Sequence, residues 1–242
     1  MPTPPPATTR SAERTAPAPG TVALLLADAR LPGGGHAHSA SLEPALLGGL
    51  PVDDVPAWMA GRATTVSLVE AGTAVVTAHV LTTGGAHGLD AVARAWAART
   101  PSGALRDAAR LLGRGYLRVA RTLWADHHAV AAAAGLAVRH GSVPRAVVLG
   151  AVAAACGLGP ADLVRLTVYD DAQTAASALL KLEPLDPLVP ARWVLDACAA
   201  AEPHVARVAA CTTPDDIPSS GAPLTEGWAE AHALTQQRLF RA

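Results

Sequence analysis

The sequence predicts an all-α protein, built as a single bundle-like domain of about ten helices. Half of the 242 residues are apolar but only 3% are aromatic, because alanine, the best helix former, supplies much of the apolar content. Apolar residues recur at helical spacing along the chain, and glycine and proline interrupt them about once per helix length. A chain of this length is able to bury one sizeable core.

The first 20 residues differ in composition from the rest of the chain. They contain six prolines and almost no bulky apolar side chain, and such a composition does not form a packed core. We therefore expect residues 1–20 to be a disordered tail and residues 21–242 to be one helical domain. No long linker, internal repeat or sustained heptad divides the second part.

Start and stop signals define the helices in order. Ser39 and Ser41 precede an apolar turn that contains Glu43, which is typical of a capped helix start. Asp53 and Asp54 precede the next helix, where carboxylates oppose the positive end of the helix dipole. The predicted helices cover about 21–30, a short segment from 42, 55–81, 87–99, 104–124 (capped by Ser102), 127–139, 144–156, 160–181, 190–210 and 224–240.

Charge and hydropathy exclude two classes of partner. The formal net charge is −1, from 19 basic and 20 acidic residues, so we expect no nucleic-acid binding. No apolar run reaches the roughly 18 residues of a membrane span. The apolar stretch 22–27 is shorter than the core of a signal peptide.

The three cysteines include no CxxC pair and are too scattered for a disulfide framework. We therefore expect a cytoplasmic protein that contacts no membrane.

Two groups of polar residues are candidates for metal binding. His36 and His38 lie two residues apart in a glycine-rich loop, but two ligands do not make a site and no third is nearby in sequence. Asp170 and Asp171 resemble the aspartate pairs that hold magnesium-diphosphate in helical prenyl-chain enzymes. That motif needs another acid one helical turn later, where this chain has Gln173.

The remaining motifs give no catalytic site. The glycines at 33–35 are not followed by the Gly-Lys-Ser/Thr of a phosphate-binding loop. Ser39 and Ser41 lack the G-x-S-x-G context of a hydrolase nucleophile. We predict no catalytic residue, no cofactor and no metal ligand, and we expect a binding or scaffold protein rather than an enzyme.

Four stretches, in order and spacing, resemble the urease accessory protein UreF family. The family opens with a leucine-rich helix, a Leu-Pro-x-Gly-Gly turn, an aromatic-x-(Tyr or His)-Ser segment and Gly-Leu-Glu. It continues with a Leu-Arg and Met-Gly-Arg helix, Arg-Leu-x-Pro-Leu and a closing Tyr-Ser-Arg-Leu-Phe-Arg. The corresponding stretches here are LLLADARLPGGGHAHSASLE at 24–43, LRDAARLLGR at 105–114, LKLEPL at 180–185 and QRLFR at 237–241.

The resemblance implies an all-α, cytoplasmic protein that forms homodimers. It also implies binding to the accessory protein UreD (also called UreH), recruitment and regulation of the GTPase UreG, and delivery of nickel to apo-urease by the metallochaperone complex. Nickel is the cargo of this complex, and the UreF-like subunit performs no chemistry of its own.

The resemblance also identifies candidate partner-binding residues at both ends of the domain. In the loop and the following helix these are Gly33, Gly34, His36, His38, Ser39 and Glu43. At the other end, Arg238, Leu239, Phe240 and Arg241 combine apolar and arginine side chains as interface hot spots do. We expect them to form a mobile binding segment; the alternative is an ordinary amphipathic last helix.

Three departures from the family pattern keep other functions open. His36 stands where the family has an aromatic residue, Ala40-Ser41 replaces a pair that ends in glycine, and Asp186-Pro187 replaces Gly-Gln. One alternative is a helical metal-binding protein or enzyme that uses the histidines or the aspartate pair. Another is a UreF relative that serves a different nickel or GTPase system.

Overall fold

A computed structural model describes residues 16–235 and 239–240, and these form an all-α fold, as the sequence predicts. Most of the expected tail, residues 1–15, lies outside the described residues. Short 3-10 turns cover Gly35–Ala37, Val52–Asp54, Ala86–Gly88 and Pro214–Asp216. The α-helices of the described part are α1 Pro19–Ala27, α2 Leu42–Leu47, α3 Val55–Ala63, α4 Val66–Thr82, α5 Leu89–Ala98, α6 Gly103–Leu123, α7 His128–His140, α8 Arg145–Cys156, α9 Pro160–Leu182, α10 Leu188–Ala209 and α11 Pro223–Ala233.

Helices α4, α8 and α9 form the centre of the bundle. Helix α4 packs against α8 on one side and α9 on another, while α10 packs along α9. The backbones of α4 and α8 come very close, because a Cβ atom on Gly150 would collide with the Ala74 carbonyl oxygen and the Thr77 side chain. An alanine-rich, nearly aromatic-free sequence permits such short interhelical distances.

The predicted helix over 55–81 is in fact two helices. Helix α3 ends at Ala63 and α4 begins at Val66. The Thr64 and Thr65 hydroxyls donate hydrogen bonds to the Ala60 and Gly61 carbonyls, at 3.1 and 2.7 Å. Threonine hydroxyls can thereby satisfy the carbonyls left open at a helix end.

The helical stretch Val52–Thr82 is the one stretch, within the described ranges, that is long and apolar enough to cross a membrane. In this fold, however, 61% of its most apolar 18-residue segment is buried inside the protein. Its apolar length therefore has a structural explanation as the central element of the bundle.

The last helix is shorter than predicted and is docked by separate polar contacts. Helix α11 ends at Ala233 rather than near 240. The Trp58 indole N–H of α3 donates to Thr225 Oγ1 at 3.1 Å. Glu230 accepts hydrogen bonds from Ser102 Oγ and the Ala104 amide, at 2.6 and 3.0 Å, at the start of α6. These contacts hold α11 against α3 and α6.

Candidate functional site

The N-terminal loop, residues 31–41, lies directly against α6. A Cβ atom on Gly33 would approach the Tyr116 ring to 2.9 Å, and one on Gly115 would collide with the Gly33 carbonyl. Gly34 has a φ of 90°, in the left-handed region that glycine adopts without strain. The predicted partner-binding residues Gly33 and Gly34 thus shape the loop through close backbone contact and a left-handed turn.

The two loop histidines occupy different environments. His36 is exposed, whereas His38 is buried, with 4% of its surface accessible. Across the described ranges, no group of three or more His, Cys, Asp or Glu side chains is placed to hold a metal ion.

The start of α2 differs from the predicted cap. The side chain of Ser41 makes no capping hydrogen bond, and Ser39 Oγ accepts from the Glu43 amide at 3.3 Å instead. Ala40 and Ser41 both have left-handed backbone angles, with φ of 51° and 70°. A glycine in the second position, as in the family pattern, avoids the roughly 1–2 kcal/mol that this conformation costs other residues.

Glu43 joins the two predicted partner-binding segments. It is buried, and its Oε1 and Oε2 accept hydrogen bonds from the Leu239 and Phe240 amides at 2.7 and 2.8 Å. His232 Nε2 lies 3.2 Å from Glu43 Oε2, close enough for an ion pair but not aligned for a hydrogen bond. Residues separated by nearly the whole chain therefore meet at one carboxylate.

Leu239 and Phe240, the described part of the C-terminal segment, point in different directions. Phe240 is only 3% exposed, whereas Leu239 is 63% exposed. Lys181 Nζ lies 5.1 Å from the centre of the Phe240 ring and 3.4 Å from the His36 carbonyl oxygen, and so connects this segment to the N-terminal loop. Arg238 and Arg241 of the prediction lie outside the described residues.

Two members of this site, Lys181 and His232, were not among the predicted partner-binding residues, although Lys181 lies in the LKLEPL stretch at 180–185. Lys181 is the only lysine in the chain, a signal that marks it as unusual without showing what it contacts. His232 has no sequence signal, because its contact with Glu43 depends on how α11 docks.

Beneath the loop lies a charge cluster of the buried Arg62, Arg145 and Asp171 and the half-buried Glu70 and Asp170. The Arg62 guanidinium donates two hydrogen bonds to Asp171, at 2.8 and 3.0 Å. Arg145 donates to Asp170. Both aspartates that resembled a magnesium-diphosphate motif are thus engaged by arginines, which explains their position without a metal.

The pKa shifts in this cluster follow from burial and charge. Burial raises the pKa of Asp170 even though Arg145 opposes the shift. For Asp171, burial acts in the same direction, but the charge and hydrogen bonds of Arg62 lower its pKa overall. Burial raises the pKa of Glu70, which also accepts a 2.6 Å hydrogen bond from the Trp96 indole. Each carboxyl thus has a structural partner.

A cavity of about 80 Å³ separates the loop from the cluster, and His38, Ser41, Arg62, Glu70 and Tyr116 are among its lining residues. Sites for organic ligands span about 300–1,000 Å³, so this cavity is too small for a nucleotide or a diphosphate substrate.

The Asp186-Pro187 departure has a local structural role. Asp186 Oδ1 accepts a hydrogen bond from the Leu188 amide at 2.9 Å, and α10 begins at Leu188. The pair therefore starts a helix, as an acidic residue before a helix N-terminus does.

Comparison with known proteins identifies the family. The sequence profile of the family described as UreF matches residues 52–198. The urease accessory protein UreF of Mycobacterium sp. strain JLS is 34% identical over 224 residues, covering 91% of this chain and 97% of the relative. The UreF protein of Mycobacterium marinum is 35% identical over 226 residues, which cover 90% of this chain and 96% of the relative. The UreF protein of Mycolicibacterium vanbaalenii is 38% identical over 168 residues, which cover 68% of this chain and 73% of the relative. This chain therefore belongs to the UreF family of urease accessory proteins, and it is an accessory protein rather than an enzyme.

Proposed function

We propose that this chain is the adaptor that, together with UreD (UreH), recruits the GTPase UreG and regulates it during nickel insertion into apo-urease. The partners are proteins, and nickel is the cargo that the assembly delivers. The proposal includes a homodimer in the cytoplasm as the working form.

One observation carries the proposal. The N-terminal loop and the C-terminal segment, which resemble the most characteristic UreF motifs, meet at Glu43 and Lys181. His36 and Leu239, one from each of these two segments, have exposed side chains. An exposed apolar side chain on a segment held in place by other contacts suits protein recognition.

Other exposed apolar side chains supply additional contact surface. Leu24 on α1 and Leu188 and Leu195 on α10 are 75%, 77% and 64% exposed. In the proposed adaptor, these side chains are candidates for contact with a second copy or with a different partner.

The function is tested by urease activation in cells. Urease structural subunits, UreD and UreG are co-expressed in nickel-containing medium with and without this chain. We expect urease activity in lysates to fall to background without it, while the amount of urease protein stays constant. Equal activity in both strains would refute the adaptor function.

A binding experiment separates the individual partners. The purified chain is mixed with UreD alone, UreG alone and both together, and complexes are sized by light scattering coupled to gel filtration. We expect a complex with UreD, and capture of UreG when UreD is present. Failure to form either complex would contradict the proposed partners even if the family assignment stands.

No observation favours the metal-dependent alternative. The aspartates at 170 and 171 are paired with arginines, and the exposed His36 and buried His38 do not converge with other ligands in the described ranges. A His36→Phe variant, which restores the aromatic residue of the family pattern, is expected to support urease activation as well as the unmodified chain.

A further inference from the structure

We propose that Glu43 is a positioning residue that holds the C-terminal segment in its binding conformation. This inference rests on the proposed function, because it concerns how the adaptor presents Leu239 to a partner. It assigns Glu43 an internal role, in place of the direct partner contact that the sequence indicated.

The geometry at Glu43 is that of a carboxylate held by two consecutive backbone amides. Leu239 N–H donates to Oε1 and Phe240 N–H donates to Oε2. Consecutive amides that point to one side form a concave site for an anion. Hydrogen bonds to a charged acceptor are about twice as strong as neutral ones, and burial of Glu43 shields them from water.

Holding the backbone determines where the two side chains point. With both amides bound to Glu43, Phe240 is directed inward, where it is 3% exposed, and Leu239 is directed outward, where it is 63% exposed. Lys181 covers the Phe240 ring. Glu43 thus presents one apolar side chain to a partner while it buries the next.

The contacts around Glu43 favour a carboxylate over an amide. Both oxygens already accept from N–H groups, and His232 Nε2 lies beside Oε2. A glutamine at this position would have a single acceptor oxygen, and its NH2 group would face an N–H donor. Glu43→Gln therefore removes one of the two anchoring hydrogen bonds with almost no change in volume.

The anchor is tested by residue-resolved amide exchange of the full-length protein. We expect Glu43→Gln to accelerate exchange at Leu239 or Phe240 about tenfold or more, relative to amides of α4 in the same sample. Global destabilisation would accelerate exchange in α4 as well. The ratio of the exchange rates therefore reports the local change at Leu239 and Phe240. Glu230→Gln is the matched control, because it alters another carboxylate that accepts a backbone amide; it should leave the ratio at Leu239 and Phe240 unchanged.

Binding to UreD, with UreG added, tests the positioning role. We expect Glu43→Gln and Leu239→Ala each to weaken binding about tenfold, with Leu239→Ala leaving the exchange ratio unchanged. An unchanged exchange ratio in Glu43→Gln would overturn the anchor. A raised ratio with unchanged binding would overturn the positioning role. An unmodified chain that binds neither partner and is not needed for urease activity would instead refute the proposed function.

Discussion

The central helices and the C-terminal region are held in the fold by different means. Helices α4 and α8 are joined by continuous apolar burial and by a glycine that brings the two backbones together. Helix α11 and the C-terminal segment bury fewer apolar side chains, such as Ala229 and Phe240. They are also held by polar contacts that involve Thr225, Glu230 and Glu43. The centre therefore depends on close apolar packing and on ion pairs, whereas the C-terminal region depends to a larger extent on individual hydrogen bonds. We expect mutations in the centre to unfold the protein and mutations at the C-terminal end to alter its surface locally.

The largest loss of stability is expected from mutation of the ion-paired residues near the centre of the bundle. Arg145→Met leaves the half-buried Asp170 without its arginine partner, so we expect a loss of about 3–5 kcal/mol in the free energy of unfolding, measured by urea denaturation at pH 7. Adding Asp170→Asn removes the unpaired charge while it retains the hydrogen-bonding shape, and the double variant should recover part of the loss. A loss below about 1 kcal/mol in the single variant would show that the ion pair is not essential to the core.

The next effect tests the close approach of α4 and α8. Gly150→Ala places a Cβ atom against the Ala74 backbone, so we expect a loss of about 1–3 kcal/mol in the free energy of unfolding. Gly61→Ala in α3 is the matched control, because no atom outside the adjacent backbone of its own helix lies within 4 Å of the added Cβ. The control should gain about 0.5–1 kcal/mol from helix propensity. If both substitutions change the free energy of unfolding equally, the expected difference in packing between Gly150 and Gly61 is contradicted.

The smallest effect is expected at Glu230, in the C-terminal region. Hydrogen bonds from Ser102 and the Ala104 amide lower the pKa of Glu230 below its ordinary value of 4.5. A carboxyl with a lowered pKa stabilises the fold above the unfolded-state pKa, and this contribution is lost as the pH falls through the folded-state pKa. We therefore expect Glu230→Gln to be slightly less stable than the unmodified chain at pH 7, with a smaller difference at pH 3.

Urea denaturation of both proteins at the two pH values measures this difference. The comparison cancels the titration of all other carboxyls, because they are common to both proteins. If the difference in the free energy of unfolding between the two proteins grows as the pH falls, the hydrogen bonds to Glu230 do not stabilise the fold as proposed.

Local signals predicted much of the helical layout but not all of it. Ser102 was predicted to cap α6, and its Oγ accepts from the Leu105 amide as expected. The same kind of signal failed at Ser41, because the chain passes through a left-handed turn there and Ser39 makes the hydrogen bond instead. The break at Thr64 and Thr65 was missed, since threonine is common within helices and its hydroxyl contacts become visible only in the folded backbone.

The candidate site was predictable in its parts but not in its assembly. The motifs identified Glu43, Leu239 and Phe240 separately, and the resemblance indicated partner binding for each. Their mutual contact spans 196 or 197 positions in sequence, and no periodicity or spacing rule reaches that far.

The sequence by itself determined the helical class, the approximate limits of most helices and the UreF family, because these depend on local propensity, on glycine and proline breaks and on short motifs. The tertiary structure alone decided which charges are paired inside the protein, how closely α4 approaches α8, and that Glu43 holds the C-terminal segment. These features depend on distances between residues far apart in the chain, and such distances are set only when the helices pack together.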